Sequence, residues 1–139
     1  MRAARRVLQP PGWPRPRGYA NGIAAEGRLV FVAGQIGWTP DGVFESDDLV
    51  GQVRQALLNT LAVLAEGGAG PEHVVRMTWY VIDKRAYLAH RAEIGQVYRA
   101  LMGGSFPAMA MVEVSALIEN RALVEIETTA VVPREGGPQ

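Results

Sequence analysis

Two strand-like stretches near the end of the chain carry the side chains best suited to chemistry. "FPAMAMVEVSAL", running from Phe106 to Leu117, alternates Met109, Met111, Glu113 and Ser115 on one side. "ALVEIETTAVV", at 122–132, alternates Leu123, Glu125, Glu127, Thr129 and Val131. Successive side chains on a strand point to opposite faces. Pairing the two stretches as a hairpin through "IENR" therefore sets these residues on one face, three carboxylates beside two thioethers. The other face, with Ala110, Val112, Val114, Val124 and Ile126, is small and aliphatic and suits packing under helices. A carboxylate desolvated beside methionine tends towards a raised pKa, which suits proton transfer. Two readings stand at this point. The methionines are gap-filling core and the glutamates a solvated face, or the set lines a half-polar cleft at an oligomer contact.

Composition narrows the chemistry. The chain has 139 residues and no Cys, which excludes disulfides, thiolate catalysis and Cys-based zinc sites. His73 and His90 are its two histidines, too few for a multi-histidine metal site and without an evident partner. We expect no metal site. Formal net charge is zero, so no broad field draws in nucleic acid or an anionic membrane. The basic start, "MRAARRVLQP", lacks the apolar run of a signal peptide, and no window approaches a membrane span. A cytoplasmic protein is the expectation.

The elements that must position these groups follow from local signals. Residues 1–15 are expected to be irregular, with prolines and glycines crowding "QPPGWPRPRG". "RLVFVAGQIG" (28–37) reads as a short buried strand and "TPDG" (39–42) as a turn. Ser46-Asp47-Asp48 offers a helix N-cap; Val50, Val53, Leu57, Leu61 and Leu64 follow at helical spacing, and Gly67-Gly68 ends the helix. "HVVRMTWYVI" (73–82) reads as a strand. A second helix is predicted from about Arg85 to Met102, with Tyr87, Ile94, Tyr98 and Leu101 as its apolar stripe. This order predicts an α+β domain over 16–133, two helices on one face of a mixed sheet, with a tail at 134–139. Two helices cover one face only, so the other meets solvent or another subunit.

These pieces, taken in order, resemble the RidA family (also called YjgF or L-PSP) across roughly residues 16–133. The matching stretches are "GYANGI", "LVFVAGQIG", "QVRQALLNTLAVLAEGGAG", "VVRMTWYVID", "YRALM", "FPAMAMVEVSAL" and "ALVEIETTAVV". The resemblance implies a chorismate-mutase-like fold and a homotrimer whose sheets form a central barrel with ligand clefts between subunits. It also implies cofactor-independent deamination of reactive imines and enamines, in which water attacks the C=N carbon. By the same resemblance, Tyr19 falls at a cleft tyrosine, and Gly34, with Ala33 before it, falls where backbone lines the site. Glu125 falls at the glutamate that positions the attacking water.

Three positions depart from the family's pattern. Met109 stands where an Arg grips the substrate carboxylate, Met111 where Cys is common, and Gly95 where an Asn is usual. Loss of a charge-assisted hydrogen bond costs on the order of 1.5–3 kcal/mol, or roughly 10- to 150-fold in binding. Arg17, just before Tyr19, is a substitute cation or a solvated loop residue; Arg76, in mid-strand, could pair with a glutamate; Arg121 reads as solvated in its turn. Three functions are carried forward. The first is an imine or enamine hydrolase of altered specificity, the second a noncatalytic ligand-binding or regulatory trimer, and the third the ribonuclease action implied by the L-PSP label.

Overall fold

The computed structural model describes residues 5–134 of the chain. The first long strand opens a four-stranded mixed sheet that is the centre of the fold, and a small two-stranded sheet is set against it. In chain order the elements are β1 (Arg5–Leu8), β2 (Gly22–Ala25), β3 (Arg28–Ile36), α1 (Leu49–Glu66), β4 (Val74–Val81), α2 (Lys84–Ala89), α3 (Arg91–Met102), β5 (Ala108–Glu113) and β6 (Val124–Val132). The main sheet has the order β3-β6-β4-β5. β6 runs antiparallel to both neighbours, and β4 and β5 are parallel. The fold is α+β, as the element order predicts.

α1 forms where its local signals place it. The Asp48 side chain accepts from the Gly51 N–H at 2.7 Å, satisfying one of the free amides of the first turn. At the other end Gly68 takes φ +72°. The Gly68 and Ala69 N–H groups then reach back to the carbonyls of Ala65 and Leu64, the paired bonds of a Schellman ending. Val53, Ala56, Leu57 and Leu64 are fully buried against the sheet. Gln52 is buried as well, and its partners explain it. Its amide nitrogen donates to the carbonyls of Ser46 and Arg121, and its oxygen accepts from the Leu123 N–H at 2.8 Å. One α1 side chain thus ties the approach to the helix to the approach to β6.

Several expectations are corrected. β5 and β6 do not form a hairpin, because β4 lies between them. β5 instead follows β4 through α2 and α3 as a parallel crossover. The second helix is two helices. Asp83 caps α2, and the turn breaks at His90, which has φ −116° and ψ 20° while ending one helix and starting the next. β3 is an edge strand rather than a buried one, with Leu29 and Phe31 exposed on the face away from the helices. Within the irregular N-terminal region, residues 5–8 form β1. They are held by pairing with β2 and by the Arg5 guanidinium, which donates to the Phe106 carbonyl at 3.0 Å and, more weakly, to that of Val74. The tail expected over 134–139 lies beyond the described residues except for Arg134. Among the described residues no helix is long and apolar enough to cross a membrane.

Candidate functional site

Strand register decides which side chains meet. Met77, Trp79 and Val81 of β4 are buried on the helix side. β5 aligns Met109, Met111 and Glu113 with those three residues, so both methionines also face the helices and pack against the core. β6 aligns Glu125 with Tyr80 and Glu127 with Thr78, on the opposite face. Glu113 shares the face of the methionines as expected, but Glu125 and Glu127 lie on the other, so the five residues do not form one face within a protomer. Ala110 and Val112, expected beneath helices, are exposed. The predicted site residues divide into two groups on opposite sides of the sheet.

The first group lines a cleft of about 680 Å³ between α3 and the edge strand β5. It contains Arg17, Tyr19, Gly95, Met109 and Met111 from the sequence prediction. Tyr19 is brought there by its neighbour: the Ala20 N–H donates to the Pro107 carbonyl at 2.8 Å, and Ala20 bridges Ala108 at the start of β5. Trp79, Tyr98 and Phe106 also line the cleft. Tyr98 stacks on Phe106 with ring centroids 5.6 Å apart, and its hydroxyl reaches the Met77 sulfur at 3.9 Å. Burial pushes the Tyr98 phenol up to about 12, with a small opposing effect from Arg5.

The rim of this cleft is cationic. Lys84, Arg91 and Arg99 join Arg17 in lining it, against one carboxylate, Glu113. That carboxylate is already engaged, accepting the Lys84 backbone N–H at 2.8 Å at the start of α2. Arg91, Gly95 and Arg99 follow at i, i+4 and i+8, a spacing that stacks them on one helix face. That spacing is visible in the sequence.

The second group sits at a β-bulge. Between Val32 and Gln35 the β3–β6 register slips, leaving Ala33 and Gly34 out of step with β6. The Glu125 side chain fills the space where a Gly34 side chain would be: a Cβ built there would lie 2.4 Å from Glu125 Oε2. A residue with a side chain cannot hold this backbone against that carboxylate. Nearby, the Tyr80 hydroxyl donates to Glu127 Oε1 at 2.6 Å, and that bond, more than any other influence, raises the Tyr80 pKa. Arg76 faces the same side but forms no ion pair among the described residues.

Three lesser candidates acquire structural partners. Arg121 pairs with Asp47 and lies 5.3 Å over the Phe44 ring, rather than standing free in its turn. His73 accepts from the Gly70 N–H, and His90 lies 3.3 Å from Glu93. No group of three or more acidic, His or Cys residues that could hold a metal occurs among the described residues.

The family model for endoribonuclease L-PSP matches residues 14–132, and the chain belongs to this RidA/YjgF/L-PSP family. A RutC family protein of Pyrococcus abyssi is 34% identical over 91% of this chain and 97% of its own length. A 2-iminobutanoate/2-iminopropanoate deaminase of goat (Capra hircus) is 30% identical over 91% and 90%. Among solved structures, the Rid family protein YyfB of Yersinia pestis is 32% identical, with a TM-score of 0.83 over 94% of this chain and all of its own.

Proposed function

We propose that the protein is a cofactor-independent hydrolase of imines or enamines, with a specificity different from that of the 2-iminopropionate-type deaminases. We further propose that its site is completed between protomers of a homotrimer. The observation that carries this reading is the division of the site. Tyr19 and the methionine cleft lie on one side of the sheet, and Glu125 with Gly34 on the other. The Glu125 side has a smaller hollow of about 460 Å³, lined by Phe31, Ala33, Arg76 and Glu127 among others, but Glu125 does not line it, and the methionine cleft does not reach Glu125 either. The uncovered face offers a reason to assemble, since Phe31 is 71% exposed and Leu29 56%, more apolar surface than an isolated strand face usually leaves in water. Rotational assembly that buries this face would bring one protomer's carboxylate to its neighbour's cleft.

In that setting Glu125 accepts a hydrogen bond from a water and orients it towards the C=N carbon. Addition gives a carbinolamine; the nitrogen takes up a proton and leaves as ammonia, and the carbonyl forms. The net change is one imine and one water to one carbonyl compound and one ammonia. Tyr19 would hold the substrate at the cleft wall. A noncatalytic ligand-binding trimer is the second reading, favoured by Met109 and Met111 occupying the cleft floor without a charged anchor. Ribonuclease action has the least support, because each histidine is engaged locally rather than forming an acid–base pair.

The test is to generate 2-iminobutyrate and a neutral imine in situ and follow their decay with and without the protein. The hydrolase reading expects acceleration of at least one, lost in Glu125→Gln. Unaccelerated decay of both, with a ligand still bound, would leave the binding reading.

A further inference from the structure

We infer that anion binding in this cleft has moved from the β5 position occupied by Met109 to Arg99 on α3, and that the ligand is an organic anion with a sizeable apolar body. The inference rests on the reading above only in placing the ligand in this cleft.

Three observations place anion binding at the cationic rim, and a fourth singles out Arg99 there. The floor at Met109 and Met111 has no charge to offer an anion, and Tyr98 and Phe106 extend it as stacked rings. The rim carries Arg17, Lys84, Arg91 and Arg99, none of which forms an ion pair among the described residues. The one lining carboxylate, Glu113, is turned to the backbone of α2. Finally, Gly95 leaves an opening on α3, and the Arg99 guanidinium lies over it: a Cβ at position 95 would sit 3.8 Å from Arg99 Nη2. A longer side chain at 95 would compete with Arg99 for this place.

The two parts of the cleft ask for two parts of a ligand. A guanidinium with no protein carboxylate paired to it can grip a ligand carboxylate through a charge-assisted fork, and an apolar ligand body lying on the adjoining wall keeps water from that pair. A cavity of about 680 Å³ is within the range that encloses drug-sized ligands. A three-carbon acid would leave its aromatic and thioether floor uncovered. A 2-oxo or 2-imino acid bearing an aryl or branched alkyl group fits both requirements.

Binding of stable carbonyl analogues tests this without turnover. The probes are 2-oxo-4-phenylbutyrate, its neutral counterpart 4-phenyl-2-butanone, and pyruvate, titrated into the whole protein by calorimetry. The phenyl acid is expected to bind more tightly than either of the others. Arg99→Ala should weaken it roughly 10- to 100-fold, the range for losing a charge-assisted hydrogen bond, while leaving the ketone unchanged. Arg99→Lys should recover part of the loss. Gly95→Asn, which crowds the guanidinium without removing it, should weaken the acid selectively and provides an independent variant.

The inference is overturned if pyruvate binds as well as the phenyl acid, if acid and ketone bind alike, if Arg99→Ala leaves the acid's affinity intact, or if none of the probes binds. An inactive protein showing the expected binding pattern would keep this inference and lose the hydrolase reading. An active one in which Arg99→Ala changes neither binding nor turnover would do the reverse.

Discussion

Two residues illustrate how much a single contact decides. Gly34 exists to let a carboxylate lie against backbone, since any Cβ there would fall 2.4 Å from Glu125 Oε2. Gly34→Ala should therefore displace the Glu125 side chain, a flexible group that can move, more than it disturbs the fold. The expected outcome is an unfolding midpoint within about 1 kcal/mol of wild type and a large loss of imine turnover; a fully active variant would show that Glu125 need not sit here. Tyr98 makes a prediction about pH. Its folded pKa is raised to about 12 by burial, above the ordinary value near 10. The unfolded chain gives up this proton first, so the folded state binds more protons between those values and stability falls as pH rises. Below about pH 10 the phenol is neutral in both states and stability is unaffected; between about pH 10 and 12 stability falls by roughly 2–3 kcal/mol. Tyr98→Phe keeps the stacking on Phe106 and should flatten this alkaline limb in thermal melts, leaving the melt at neutral pH nearly unchanged. Tyr98 is legible in the sequence as part of an apolar stripe, and Gly34 as site backbone by resemblance, but the Gly34–Glu125 contact depends on a bulge between strands some 90 residues apart in sequence.

At the scale of elements, legibility followed locality. The ends of α1 were readable because Asp48 and the Gly67-Gly68 pair act on backbone within one turn of themselves. β5 and β6 were also found as strands, yet their pairing was misread. A strand's face has meaning only relative to its neighbours, and β4, from much earlier in the chain, supplies the neighbour of both. The split at His90 had no local signal, since neither Pro nor Gly marks it. Nothing local in the sequence marks Gln52 among the apolar positions of α1. Its three hydrogen bonds make it the link between α1 and the start of β6, two residues from Glu125. Gln52→Leu keeps the bulk but strands the Leu123 N–H and two carbonyls. It should lower stability by on the order of 2–3 kcal/mol, read as a lower denaturant midpoint at unchanged m-value. A loss below about 0.5 kcal/mol would mean that water replaces the amide at this place.

For the molecule as a whole, sequence patterning correctly anticipated that one sheet face would lack helices. It did not anticipate that this face would separate the carboxylate from the cleft. In the proposed trimer that separation would make the protomers interdependent, and interdependence can be counted. Tyr19→Phe damages the cleft half and leaves Glu125 intact; Glu125→Gln does the opposite. Each variant alone should be poorly active. Co-expressed in equal amounts and assembled at random, they would form rings in which about a quarter of the junctions join an undamaged cleft to an undamaged carboxylate. Mixed preparations should then recover about a quarter of wild-type turnover, whereas the two proteins purified apart and combined without subunit exchange should recover none. A site contained in one chain would give no recovery either way. The position of one glutamate on the far side of a sheet thus turns a question of catalysis into one of genetic complementation.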